Sequence, residues 1–480
     1  MSFTNLIPAS ELPNFTLVNN WPILFNILKS QAIPIAAAGG TLTIKKHIFD
    51  CQVLINEELG FGLKFEDCYF RSDLIINGAI FNKEVWLNRC FIDEDLRINK
   101  ENNEFKSDFF IINLSVKHKV IISGGDFQDC HWSFKNDTEV YIHGGTFKDL
   151  VIGYWGGATI GVLTLELSNV KGLLRVIHEK TTIKQLLLMR HALEANVTFQ
   201  DFHVNYLNIY NYRNEKGLRI SNLKATEGEK PSEFSISESY LGKAEFYSVD
   251  FASFQNVYFT DVHLVDCSFV NIKWNLDIKA LKGRTIYKTD EEKELSKKVE
   301  KIQRDDPDEF LELEELKRDP NVIEYYTKSR EVYRQLKYAL GKQGDIINEQ
   351  KFHSKEMLAY NRTISIENDG WTKLIIKLSY WFSDFGQSFT RPFCALLIGH
   401  WILLIMLISC GGYQDLKLSI ENASGSGFEL AFERYFQLIN PLRRTESGFE
   451  GYRIIIDLAM RIWASYMIYN LIRATRRFIK

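Results

Sequence analysis

The sequence predicts an all-β helix of square coils, followed by an α-helical linker and an α-helical domain that crosses a membrane twice. Three observations carry this. Large apolar residues recur every five positions in the first half. One segment repeats itself after twenty residues. The last ninety residues hold two long apolar stretches around a short amphipathic one.

A chain of 480 residues exceeds what one hydrophobic core organises, so two to four structural units are expected. The formal net charge is −3, with Lys and Arg interleaved among the acids; no strongly basic face is available for nucleic acid. Residues 1–40 read as an N-terminal cap. The start, Met1 to Phe15, lacks a basic stretch followed by an apolar core, so no secretory signal is expected there. The 7 cysteines (Cys51, Cys68, Cys90, Cys130, Cys267, Cys394, Cys410) form no CxxC pair and have no histidine at metal-ligand spacing. They read as small buried hydrophobes with free thiols, which fits a reducing compartment.

Between Val249 and Trp274 the register is plainest. Phe254, Phe259, Leu264, Phe269 and Trp274 are spaced by five, and Ala252, Val257, Val262, Cys267 and Ile272 each precede one of them by two. That pattern fits neither a helix nor a long strand. It fits a chain that turns a corner every five residues and points two side chains inward on each face. Val120–Cys130 then aligns with Val140–Leu150 at an offset of twenty, which superposes Phe127 on Phe147 and makes one turn of a four-faced coil. Stacked turns bury an axial ladder that each coil completes only with its neighbours. Phe254, Phe259, Leu264, Phe269, Phe127 and Phe147 are the expected core. The Gly-Gly pairs at 124–125, 144–145 and 156–157 read as corner turns, because no phosphate-loop lysine follows any of them.

These residues resemble the pentapeptide-repeat family, whose members form right-handed quadrilateral β-helices. The resemblance covers about residues 41–280, and the segments Lys100–Ser107 and Ser221–Ser232 interrupt the count. Some members of that family mimic duplex DNA with an acidic surface. The mixed charges of stretches such as Phe81–Arg89 argue against that role here.

Residues 281–370 read as a helical linker. The charged run Lys288–Lys301 and the acids of Asp305–Glu315 are a solvated face or a tether. From Pro320 a helix buries Val322, Tyr326, Tyr333, Leu336 and Leu340 along one stripe. Gly341 and Gly344 end it, Asp345 caps the next helix, and the return runs Ile346–Arg362. This pair looks like the segment that joins repeat and channel parts in membrane-anchored pentapeptide-repeat proteins of bacteria. His353 and Glu356 share a helix face, but no second ligand set accompanies them, so no metal is expected. Residues 371–390 begin with Trp371–Phe382, an amphipathic helix with tryptophan near both ends and Lys373 and Lys377 on its polar side. That composition suits the headgroup layer. The Asp384-Phe385-Gly386 that follows matches a kinase tripeptide in letters only, since no other kinase element occurs; it reads as a turn.

Residues 391–480 form the membrane domain. Phe393–Cys410 carries no formal charge and would extend about 27 Å as a helix, near a bilayer's hydrocarbon thickness. Ile454–Ile472 is the second span, and residues 428–439 form a short amphipathic helix between them. Asp457 and Arg461 lie one turn apart on one face of the second span, and charges at such positions are costly unless they meet protein or water. Candidate pathway residues are Asp457, Arg461, Asn440, Glu433 and His400.

Span, short helix and span outline a two-helix channel subunit. Two helices cannot enclose a pore, so conduction requires a homo-oligomer, and the resemblance to tetrameric cation channels favours four copies. No TVGYG-like filter follows the short helix, only Asn440-Pro-Leu-Arg-Arg444, and two arginines near a mouth disfavour cations. The competing class is a non-conducting tether that presents the β-helix to a cytoplasmic protein partner. No nucleophile–base set or nucleotide loop occurs, so neither an enzyme nor a cofactor is expected. Two spans put both termini on one side, expected to be the cytoplasmic side of a bacterial inner membrane.

Overall fold

A computed structural model of the chain describes residues 14–37, 40–99, 102–135, 137–153, 159–166, 169–193, 195–214, 216–226, 231–281, 290–304, 319–364, 366–411, 425–444 and 449–476. The acidic run at 305–315 and the glycines at 156–157 fall outside these residues. The chain divides into two compact units, Met1–Gln343 and Gly344–Lys480.

The first unit is a solenoid of parallel strands, with about 10 turns. Its first turn has four short strands, Thr41–Lys45, His47–Phe49, Val53–Ile55 and Glu58–Leu59. Each pairs in parallel with its counterpart one turn on: Gly62–Glu66, Tyr69–Phe70, Leu74–Ile76 and Ile80–Phe81. The five-residue register predicts this four-sided course. Within a strand the outer residues point in and the middle one out; Val53 and Ile55 are buried around exposed Leu54. One inward column runs unbroken through Leu42, Leu63, Val85, Phe109, Cys130, Leu150, Leu174, Val197 and Leu218, each hydrogen-bonded in register with the next.

The aligned repeat is real in space. Val120 pairs with Val140 and Phe127 with Phe147. Phe81, Phe105, Phe127 and Phe147 stack face to face with ring centroids 4.8, 4.6 and 4.5 Å apart. Offset stacking of this kind adds about 0.5–1.5 kcal/mol per pair beyond the area buried. Corners are taken by single residues in the left-handed region. Lys46, Asp67, Arg89 and Asn113 form one such column, with φ of 55°, 55°, 51° and 52°. Each costs about 1–2 kcal/mol unless neighbours hold it, and Arg89 Nε donates to Asp67 Oδ1 at 2.7 Å across the corner.

Three expectations need correction. Ala252 does not point inward: Phe251–Ser253 is a 3₁₀ turn, closed by the Asp250 carboxylate accepting from the Ser253 N–H, which buries Phe251 and exposes Ala252. The segments expected to interrupt the coil still contribute strands. Glu104–Phe105 pairs with Ile80–Phe81, because the Asn103 side chain accepts from the Ala79 N–H and donates to the Asn99 carbonyl, in place of missing ladder bonds. Leu218–Ala225 likewise runs straight through Ser221. Finally, turns are not uniformly twenty residues long. Val85 pairs with Phe109 and Ile220 with Phe246, so insertions at corners are absorbed while the inward ladder keeps its phase.

Open strand edges at the ends of a solenoid must be covered. At the N-terminal end the helix Trp21–Ala37 lays Trp21 and Phe25 over the first coil, and the Trp21 indole donates to the Leu54 carbonyl at 2.8 Å. At the other end the helix Pro320–Lys342, opened by the Asp319 cap, buries Val322, Tyr326, Tyr333, Leu336 and Leu340 as its stripe predicts. Two glutamines finish the strand edge. Gln335 Oε1 accepts from the Leu264 N–H at 2.7 Å. Gln343 accepts from the Phe269 N–H at 2.8 Å and donates to the Cys267 carbonyl at 2.9 Å. Gln343→Leu is therefore expected to leave two backbone groups unpaired and cost about 2–4 kcal/mol. Hydrogen exchange at the Phe269 amide, faster in the variant, is the check; unchanged protection would show that the cap works through packing alone.

The second unit is helical. Ile346–Thr363, capped by Asp345 as expected, precedes Ile366–Ser383, Thr390–Ser409, Gly425–Ile439 and Tyr452–Arg476. The expected interfacial segment, 371–390, is thus a helix that starts earlier and stops at Ser383. Asp384, Phe385 and Gly386 stop it by adopting φ of 47°, 56° and 88°.

Candidate functional site

The helices Thr390–Ser409 and Tyr452–Arg476 pack antiparallel. Leu396 meets Ala464 and Met467 near one end, and Leu404 and Leu407 meet Ile456 and Met460 toward the other. Gly399 lets them approach, because a Cβ there would lie 2.5 Å from the Trp463 ring, whose indole N–H donates to the Ala395 carbonyl at 3.2 Å. Both helices are long and apolar enough to cross a membrane, with mean hydropathies of 2.2 and 1.2. Only 33% and 28% of their most apolar windows are buried inside the unit, whereas a core helix of a water-soluble domain would be covered. Ile398, Ile402, Ile405, Ile455, Leu458 and Ile462 all face outward. Cys394, on the first of these helices, and Cys410, just past its end, are free thiols that are exposed, not buried as the sequence reading has them.

The short helix Gly425–Ile439 returns between them. Tyr435 and Leu438 are buried against Leu404, Leu407, Ile456 and Met460. The Tyr435 hydroxyl donates to the Leu397 carbonyl at 3.0 Å. Leu397 precedes Cys410 by thirteen residues, about 20 Å of helix, so the short helix dips deep beside the first apolar helix before the chain turns at Asn440-Pro441.

The chain then climbs back, and Arg443 anchors it. Arg443 Nε donates to the Leu438 carbonyl at 3.2 Å, satisfying an orphan carbonyl at the short helix's end. Its guanidinium ion-pairs with Asp457. Arg461 pairs with the other carboxylate oxygen of Asp457 at 2.9 Å from one turn along the same helix. Asp457 is 2% exposed, Arg443 11% and Arg461 22%. The result is a buried triad of one carboxylate between two guanidiniums.

The sequence-predicted residues therefore separate. Asp457 and Arg461 come together on one face as their spacing requires. His400 is hydrogen-bonded to neither: it is fully buried and edge-on to Tyr435 at 5.4 Å, with neither ring nitrogen hydrogen-bonded among the described residues. Glu433 is exposed and accepts from Gln437 one turn on; Asn440 is exposed and accepts from the Leu442 N–H. Arg443, expected as an outer-loop charge near a mouth, is instead the triad's third member. Its one sequence signal was an arginine shortly after a helix stop, in a chain whose next apolar helix carries an aspartate. No cluster of residues that could hold a metal occurs among the described residues; His353 Nδ1 lies 3.6 Å from the Glu356 carboxylate.

This geometry defines a class: a β-solenoid protein carrying two helices long and apolar enough to span a membrane, with a third folded between them. No family model, curated protein or solved structure matches the chain.

Proposed function

We propose that the protein is a membrane-tethered β-solenoid whose two-span hairpin assembles, in several copies, into an ion-conducting pathway. The observation that carries this reading is the short helix. It reaches the depth of Leu397 and is buried against both apolar helices; an anchor needs two spans and nothing between them. A homotetramer is the assembly the sequence resemblance favours. The solenoid would act as scaffold or sensor on the cytoplasmic face of an inner membrane, both termini on that side, with a protein partner on its surface. Potassium selectivity is no part of the proposal, because Asn440–Arg444 offers no carbonyl-lined filter and its Arg443 is engaged with Asp457.

A non-conducting tether is the second reading. It is favoured by the same triad, which leaves Asp457 no unpaired charge to offer an ion. Purified full-length protein separates the two. A ring-like oligomer in detergent that conducts in a planar bilayer is the expected result. A well-folded monomer that never conducts would leave the tether.

A further inference from the structure

Resting on the membrane-tethered reading, we infer that the helix Ile366–Ser383 is a docking strip for anionic phospholipid headgroups. Trp371, Leu374, Ile375 and Trp381 are exposed along one stripe, Trp371 by 78% and Trp381 by 69%, while Ile376 on the opposite side is buried in the unit. The strip is continuous with the membrane hairpin, since Phe382 meets Trp463 edge-to-face at 5.1 Å. It lies at the end where the first apolar helix begins and the second ends.

Cations border this strip and its last turn. Lys377 is exposed one helical turn before Trp381. Arg391 lies over the Tyr380 ring at 5.8 Å and donates to the Tyr380 carbonyl at 3.4 Å. Arg473, from the last turn of the second apolar helix, rests on the turn at Gly386, where a Cβ would come within 2.9 Å of its side chain. Lys373 is turned away and donates to the Ile364 carbonyl at 3.1 Å. A neighbouring carboxylate, Asp384, is held by the Ser354 hydroxyl at 3.2 Å, and the sequence of the same helix carries Glu367 and Asp369 ahead of Trp371. An apolar stripe with tryptophan near each end and a cationic border complements the interfacial layer of an anionic leaflet, where each surface cation strengthens binding roughly fivefold. A neutral leaflet would satisfy the tryptophans and offer the cations no net counter-charge.

The test uses full-length protein in neutral detergent, titrated with phosphatidylglycerol or phosphatidylcholine while thermal stability is followed. Phosphatidylglycerol is expected to stabilise at several-fold lower concentration, an advantage that shrinks at high salt and falls roughly fivefold in each of Lys377→Gln and Arg473→Gln. Arg473→Lys, which keeps the charge, should retain it even if packing at Gly386 suffers. Equal response to both lipids, or an advantage untouched by either neutralisation, overturns the inference. So does a strip covered by a second copy, seen as Trp371→Ser dissociating an oligomer without altering the lipid response. Release of the protein from membranes by alkaline carbonate would instead overturn the tether reading beneath it.

Discussion

Asp457→Asn is expected to destabilise the membrane unit by about 3–5 kcal/mol, among the largest effects of any single polar substitution in the chain. Its removal takes from Arg443, 11% exposed, and from Arg461 the carboxylate that both of them pair with. Breaking one member of a buried ion set costs far more than the set contributes, because the partners remain desolvated. The matching expectation is that Arg443→Met combined with Asp457→Leu recovers most of the loss, since the apolar surroundings include Met460 and Ile456. Unfolding in detergent of the unsubstituted protein, Arg443→Met, Asp457→Leu and the double variant gives the coupling between the two positions. A coupling energy of at least about 1 kcal/mol is expected, and additive effects would mean that the pair exerts no mutual hold. The Arg443→Met single variant should also free the loop at 440–444, read as new protease sensitivity after Pro441.

Phe259→Ala is expected to cost the solenoid about 3–5 kcal/mol. Phe259 is fully buried, with Phe234 of the paired strand at 6.0 Å and Phe251 at 6.2 Å. The Gln335 and Gln343 caps lie close by, on Leu264 and Phe269. Loss there should therefore loosen the capped end before the turns near Phe81. Ala252→Ser is the internal control. Five-residue counting puts Ala252 and Phe259 both inside, yet Ala252 is exposed and its substitution should change stability by under about 0.5 kcal/mol. Thermal unfolding of both variants tests this, and equal losses would mean that the coil keeps its five-residue phase through the 3₁₀ turn.

The solenoid was legible because its signal is periodic. A side chain that must enter the axis every five residues, backed by the twenty-residue match of Val120–Cys130 to Val140–Leu150, leaves few other ways to bury the Phe and Leu residues. The apolar helices were legible because length and lack of charge are one-dimensional properties. The Asp457–Arg461 pair was legible because one helical turn is a local distance. Local rules carried these elements, though the local 3₁₀ turn at Phe251–Ser253 broke the five-residue count at Ala252.

What depends on contacts far apart along the chain was not legible. Gln343 reaches Phe269 and Cys267 across more than seventy residues, Trp463 fills the space that Gly399 leaves open, and Arg443 finds Asp457 through a turn whose course no spacing rule encodes. The sequence alone determined a four-sided β-solenoid followed by a hairpin of apolar helices, since repeat period and hydropathy are set by each residue and its near neighbours. Only the tertiary structure decided that the short helix dips to Leu397 and that one carboxylate serves two guanidiniums. Desolvation makes such polar contacts obligatory once the groups are buried, but which groups meet is settled by the packing that buries them.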